Sequence, residues 1–431
     1  MRSEPLRQLA STPASIIADR DLSDEALLDI VQRQTFRFFW DFAHPACGLA
    51  RDRVSVTGEG NDLVAIGGSG FGIMAVIVAT ERGWITRDDA LGHLTKVVRN
   101  LGDVPRYHGV FPHFIDGRTG ATVPFGTKDD GGDLVETSFL MQGLLCARQY
   151  FSGRSAAESD LRRSINRLWQ EVEWNWHTKG GRKVLFWHWS PNHGWAMNHE
   201  IHGWNECLVT YVLAAASPDH AIDAEVYHRG FAYGRDFKNG HSYFGLELPL
   251  GPAFGGPLFF AHYSFLGLSP GRLSDRYADY WDQNLRHVLI NYRYCVHNPR
   301  GYIGYGPHCW GLTASDDPRG YEAHAPDKDF GVIAPTAAVS SIPYAPAECM
   351  RALRYFAHDL GDKLWGECGF ASAFALDEDW YSTSSVAIDQ GPIIVMIENH
   401  RSGLLWKLFM SCPEVRHGLA KLDFRIASHD V

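Results

Sequence analysis

No run of clustered lysine or arginine occurs anywhere in the 431 residues, and the formal net charge is -10. Binding to a nucleic-acid backbone rests on clustered cations that displace counterions, so that class of partner is excluded. A CxxC pair is also missing. The eight cysteines (Cys47, Cys146, Cys207, Cys295, Cys309, Cys349, Cys368 and Cys412) stand singly, several inside apolar helical patterns. That predicts buried reduced thiols and neither a disulfide nor a zinc framework. No stretch reaches the length of a membrane span. Met1 to Arg20 lacks the apolar core of a secretory signal. No ladder of alternating strands and no short repeat is present, which argues against all-β folds and solenoids. Without a GxSxG elbow, a Ser/His/Asp triad is disfavoured.

Aromatic side chains are plentiful instead, with 14 Trp, 17 Tyr and 24 Phe. Core filling favours Leu, Ile and Val, so tryptophans in Gly-, Pro- and His-rich stretches predict a flat-walled cleft on which sugars or bases stack. The chain is longer than a single ordinary core, leaving two domains or one large closed architecture. Residues 1–22 read as a loose lead-in, and helical spacing begins at 23–42. Apolar helical segments follow at 73–80, behind a Gly68-Ser69-Gly70-Phe71-Gly72 lead-in, and at 133–150, 199–216, 257–268, 334–342 and 391–409, each paired with a more polar one. A helix apolar all round belongs inside other helices. Six inner helices within six outer ones predict an all-α, (α/α)6 barrel formed by a single domain over 23–431. The long loops at 44–67, 102–132, 174–198, 230–256, 296–331 and 359–390 would then gather at one end and wall a cleft.

Three stretches carry candidate chemistry. The first is Lys128-Asp129-Asp130-Gly131-Gly132-Asp133-Leu134-Val135-Glu136. Gly131 and Gly132 read as a sharp turn, Asp133 as an N-cap and Glu136 as its capping-box partner. Capping leaves Asp129 and Asp130 unexplained, and crowded carboxylates need something cationic or polyhydroxylic near them. A DDxxD magnesium motif is a weak match, because two glycines interrupt it. The second stretch runs from Trp187-His188-Trp189 through Trp195, His199 and His202 to Trp204-Asn205-Glu206. Its histidines lack metalloenzyme spacing, so polar lining is expected over a metal site. Glu206, placed on an apolar helix, is expected to keep its proton near neutrality through desolvation, as a general acid must. The third stretch is Ala387-Ile388-Asp389-Gln390-Gly391-Pro392. Asp389, read as lying just before a helix with Pro392 near its first position, is expected to stay ionised and to suit a general base. Glu398 is expected to pair with Arg401 or His400. One protonated and one ionised carboxyl facing each other across an aromatic cleft is a glycosidase arrangement.

With these residues in view, the chain resembles the bacterial endo-β-1,2-glucanase family, also called the glycoamylase-like domain. The resemblance rests on 131–139, 187–195, His202 to Glu206, Gly255-Gly256-Pro257-Leu258-Phe259, 387–392 and Ile397-Glu398-Asn399, and it runs from about Ser23 to Val415. It implies an (α/α)6 fold and inverting hydrolysis of β-1,2-glucosidic bonds without metal or other cofactor. Glu206 matches the family's general acid and Asp389 its proposed base. Asp129, Asp133 and Glu136 match acidic cleft residues. With Trp187, Trp195, Trp204 and His202 they form the expected substrate-binding set. The expected partner is β-1,2-glucan, with no nucleic acid and no membrane, and the expected assembly is a monomer. Relatives include the transglycosylating domain of cyclic β-1,2-glucan synthases and enzymes that release disaccharide from a chain end. Transglycosylation, exo action and glucan binding without turnover therefore stand as alternatives to endo hydrolysis. Many members are exported, which leaves the compartment open.

Overall fold

The computed structural model describes residues 8–234 and 236–427. Of the expected lead-in, residues 1–7 lie outside the described residues, and the remainder contains a short helix, Ala14–Ile17. The architecture is helix-rich. Three helices apolar on nearly every face, Ile66–Glu81, Leu134–Tyr150 and Ala387–Arg401, lie buried at its centre. A helix without a polar face has to be surrounded, and these are: Ile66–Glu81 packs on both of the others, and Leu134–Tyr150 packs on Leu208–Ala216. Pro335–Val339 packs on Ala387–Arg401.

Amphipathic helices cover this centre. Asp24–Trp40 lies against Ile66–Glu81 and Ala387–Arg401, while Pro413–Lys421 lies against Leu208–Ala216 and Pro346–His358 against Pro335–Val339. Arg87–Asp103 and Ala156–Gln170 pair with each other on the outside. Side-chain caps start several of them, as where Ser23 accepts the Ala26 N–H at 3.2 Å and Thr86 accepts that of Asp89 at 3.1 Å.

The central helices depart from their expected limits in informative ways. Ile66–Glu81 takes in Gly68, Gly70 and Gly72, which read as a lead-in loop in the sequence. They are there for contact. A Cβ on Gly70 would meet the Phe139 carbonyl oxygen at 2.2 Å, and one on Gly143 would meet that of Gly70 at 2.1 Å, so two helix backbones touch where no side chain fits. The helix expected over 199–216 is confined to Leu208–Ala216, because Glu200–Ile201 pairs as a strand with Leu185–Phe186. The apolar run at 257–268 forms 3-10 turns, Leu258–Ala261 and Ser264–Leu266, in place of one helix.

Short strands tie the long loops together. Arg53–Ser55 pairs with Ser384–Val386, Gly132–Asp133 with His188–Trp189, and Leu63–Ala65 with Phe114–Asp116. These pairings bring the loops at 44–67, 102–132, 174–198 and 359–390 to the same side, above the starts of the central helices. All eight cysteines are buried and free, in keeping with reduced thiols. Among the described residues, no helix is long and apolar enough to cross a membrane.

Candidate active site

The acidic stretch forms one wall of a pocket of about 560 Å³ that is lined by His113, Phe125, Asp129, Asp133, Trp187 and His188, among others. Asp133 caps Leu134–Tyr150 as the sequence predicts, its Oδ1 accepting the N–H groups of Val135 and Glu136 at 3.0 Å each. Glu136 does not close a capping box. Its Oε2 accepts the Gly67 N–H at 2.7 Å, in the first turn of the neighbouring central helix. The Asp133 N–H goes instead to the Phe111 carbonyl at 2.8 Å. Gly131 and Gly132 make no positive-φ turn. Gly131 is needed because a Cβ there would meet the Trp189 carbonyl oxygen at 2.2 Å. Asp130 holds the adjoining loop, accepting from the Ser190 hydroxyl and from Asn192 Nδ2, the latter at 2.6 Å.

The crowded carboxylates have an internal counter-charge that the sequence reading did not identify. His113 Nδ1 lies 2.9 Å from Asp133 Oδ2. Burial works against its charge, yet the carboxylates of Glu136, Asp133 and Asp129 hold its pKa up at about 9. Against the same burial penalty, His113, His188 and the cap N–H groups hold Asp133 below its ordinary value. Glu136 has fewer donors, and burial pushes it up to about 7. Asp129 is raised to about 6 by burial and by Asp133. Asp129, Asp133 and His188 bring one ligand atom each to within 4.8 Å of one another, the grouping among the described residues that could hold a metal ion. Asp133 already accepts Trp187 Nε1 at 2.9 Å besides its cap donors and His113.

The expected aromatic set divides. Trp187 is half-buried, lines the pocket and stacks on His188 and His199. Trp195 is half-buried against Trp176, His177 and Phe186, and His202 is exposed. Trp204 does not line the cleft. It is 2 % exposed, in the core among Phe231, Phe237, Phe265 and Tyr280, because the chain turns inward there and leaves no ring face for a sugar.

Glu206 lies in the turn just before Leu208–Ala216, not on the helix. The Ser264 hydroxyl anchors it by donating to its carbonyl and accepts the Val209 N–H at 2.9 Å. Burial, reinforced by Glu136 and Asp133, pushes its carboxyl up to about 7.

Asp389 departs most from expectation. The helix begins at Ala387, so Asp389 sits inside its first turn and Pro392 lies further in. Its side chain makes no cap. The Ser372 hydroxyl donates to Oδ2 at 2.9 Å, and Oδ1 is buried with no hydrogen-bond partner. Burial pushes the carboxyl up to about 8, opposed by Ser372 and Arg53 and reinforced by Asp316 and Asp52. Burial therefore works against the ionised state expected of Asp389. Helix-terminal N–H groups favour an anion only when they point at it, and here none does. Glu398 pairs with Arg82 at 2.7 Å, while Arg401 goes to Glu25.

Two tyrosines near the candidate carboxyls escaped the sequence reading. Tyr321, 48 % exposed on the Ala314–Asp317 and Gly320–Ala323 hairpin, lies within electrostatic reach of Asp389, Asp52, Asp316 and Arg53. Tyr263 lies within electrostatic reach of Tyr321, Asp389, Glu206 and Glu136, which with burial push its phenol well up. Only the density of Ser and Asp around 382–389 and 314–317 hinted at this region of the candidate site.

A family model described as putative glucoamylase matches residues 198–413. An exo-β-1,2-glucooligosaccharide sophorohydrolase (non-reducing end) of Parabacteroides distasonis is 46% identical over 423 residues, 93% of this chain. The chain spans 58% of that curated relative's length. A putative glucoamylase structure from Bacteroides uniformis superposes with a TM-score of 0.93 at 55% identity, covering 95% of this chain and 99% of the other. The endo-β-1,2-glucanase of Chitinophaga pinensis, solved with sophorotriose and glucose, superposes with a TM-score of 0.91 at 52% identity over 94% and 99% of the two chains. With identity at this level over more than nine-tenths of its length, the chain belongs to the family of bacterial β-1,2-glucanases and sophorohydrolases built on the glycoamylase-like domain.

Proposed function

We propose that this chain is a glycoside hydrolase that cleaves the β-1,2-glucosidic bonds of β-1,2-glucan with inversion, Glu206 acting as general acid and Asp389 as general base. The observation that carries the reading is the difference between the two carboxyls' neighbours. Glu206 faces the acidic Glu136 and Asp133, which favour its protonated form. Asp389 has a hydroxyl donor and Arg53, which favour its anion against burial, Asp316 and Asp52, and an oxygen left without a partner. Glu206 gives its proton to the departing glycosidic oxygen, directly or through a sugar hydroxyl, while Asp389 draws a proton from water on the opposite ring face. Asp129, Asp133 and Trp187 supply the wall against which the glucan lies. Carbohydrate hydroxyls suit such a wall, since they donate to carboxylates and present C–H faces to indole. The framework we infer is an (α/α)6 barrel formed by a single domain, supported by the pairwise packing of central helices inside amphipathic ones.

The relatives' names divide over mode of attack, one endo and one exo, so release of sophorose from the non-reducing end is a second reading. Linear β-1,2-glucan, with products followed by anomer-resolving NMR, tests both. An inverted anomer and a ladder of short oligosaccharides are expected, whereas sophorose alone selects the exo reading. Retained configuration removes the inverting mechanism. Glu206→Gln and Asp389→Asn are each expected to lower kcat by at least about 10²-fold, and near-normal turnover in either removes that residue from its role.

A further inference from the structure

If Asp389 is the base, one neighbour acquires a defined task. The Asp389 carboxyl lies within electrostatic reach of Asp316 and Asp52, the Arg53 guanidinium, and the phenols of Tyr321 and Tyr263. Ser372 is the side chain that hydrogen-bonds it, donating to Oδ2 at 2.9 Å. A hydroxyl has a single hydrogen. Ser372 Oγ also accepts the Asp316 N–H at 3.1 Å, and the Ser372 N–H donates to the Ser384 carbonyl at 2.9 Å. With its oxygen and its backbone both held, the remaining hydrogen is aimed at Asp389. The holder is itself fixed, because Asp316 accepts Arg53 Nη1 at 2.8 Å and the hydroxyls of Ser382 and Ser384 at 2.6 and 2.7 Å. What is left over is Oδ1 of Asp389, buried and without a partner. A buried orphan acceptor is costly unless something fills the place in the working state.

We propose that Ser372 is a positioning residue: fixed by the Asp316 N–H, it binds Oδ2 of Asp389 and leaves Oδ1 as the oxygen that receives the proton of the attacking water. The proposal rests on the reading of Asp389 as base. In the step, Oδ1 takes one proton while the water oxygen bonds to the anomeric carbon. The bond from that carbon to the leaving sugar breaks, and Glu206 supplies one proton to the departing oxygen. Protons balance, and no co-reactant is needed.

The test uses the full chain, linear β-1,2-glucan and pH profiles of kcat/KM. Ser372→Ala is expected to lower kcat on the order of tenfold with KM unchanged. It is also expected to move the inflection belonging to Asp389 to higher pH, since a lost donor favours the neutral acid. Ser385→Ala is the control for packing, being equally buried and donating only to the Phe370 carbonyl at 3.3 Å, and is expected to leave the profile in place. Ser372→Thr, which keeps the hydroxyl, is expected to hold the inflection where the wild type has it. A wild-type profile in Ser372→Ala overturns the positioning role, and so does an Ala-like profile in Ser372→Thr. Asp389→Asn keeps the two failures apart. Activity in that variant removes the base itself, whereas an inactive Asp389→Asn beside an unshifted Ser372→Ala removes only the task given to Ser372.

Discussion

The two carboxyl-rich regions of the candidate site are neutralised by different means. At the Asp133 end, a histidine 2.9 Å away, a tryptophan N–H and two helix N–H groups converge on one carboxylate, which stays ionised although fully enclosed. At the Asp389 end, a single hydroxyl reaches the carboxyl, and the nearby arginine gives its hydrogen bonds to Asp316, Asp52 and Ser384. That carboxyl is pushed up to about 8. The density of acids therefore says little about charge. The number of donors aimed at each oxygen decides it, since in a low-dielectric site each donor offsets part of the desolvation penalty.

The largest expected effect tests the first end. His113→Leu leaves Asp133 buried without its cationic partner and is expected to cost about 3 kcal/mol at pH 7, read by urea unfolding. The sign with pH follows from a folded His113 pKa of about 9 against an ordinary 6.5. Its contribution is complete below about 6.5 and is lost as pH rises through 9, so wild type and variant should converge there. A constant gap across that range would break the comparison.

A smaller effect of opposite sign is expected at the other end. Between its ordinary 3.8 and about 8, the folded Asp389 keeps a proton that the unfolded chain has released. Stability from this group therefore falls as pH rises through that window. Asp389→Asn removes the cost and should stabilise the protein by about 1 kcal/mol at pH 9 and not at all below pH 4, while abolishing turnover. Loss of stability at pH 9 would show that the fold favours the Asp389 anion over the neutral acid.

The smallest effect sharpens the first end. Trp187→Phe keeps a ring on the pocket wall but deletes the bond from Nε1 to Asp133. We expect a cost of about 1 kcal/mol in stability and a rise of several-fold in KM for β-1,2-glucan. An unchanged KM would take Trp187 out of the sugar-binding wall.

Much of this protein was legible in its residues. The apolar faces of the central helices and the Asp133 cap follow from local pattern and composition. The helix read over 199–216 was shortened because a strand pairing claimed Glu200–Ile201, and no local signal distinguishes that from a helical start. Trp204 was expected in the sugar-binding set beside the loop tryptophans, whereas its neighbours in space are Phe231, Phe237, Phe265 and Tyr280.

The glycines show the same division. Gly70 and Gly143 were visible, but that they meet each other, and so let two helices touch, is a fact of packing. By itself the sequence determined which segments must be buried and which side chains can carry protons, because hydrophobic period and residue chemistry are local properties. Which carboxyl holds its proton was decided only by the tertiary structure. The donors and charges that set it, His113 for Asp133, Ser372 and Arg53 for Asp389, and Glu136 for Glu206, arrive from other segments of the chain.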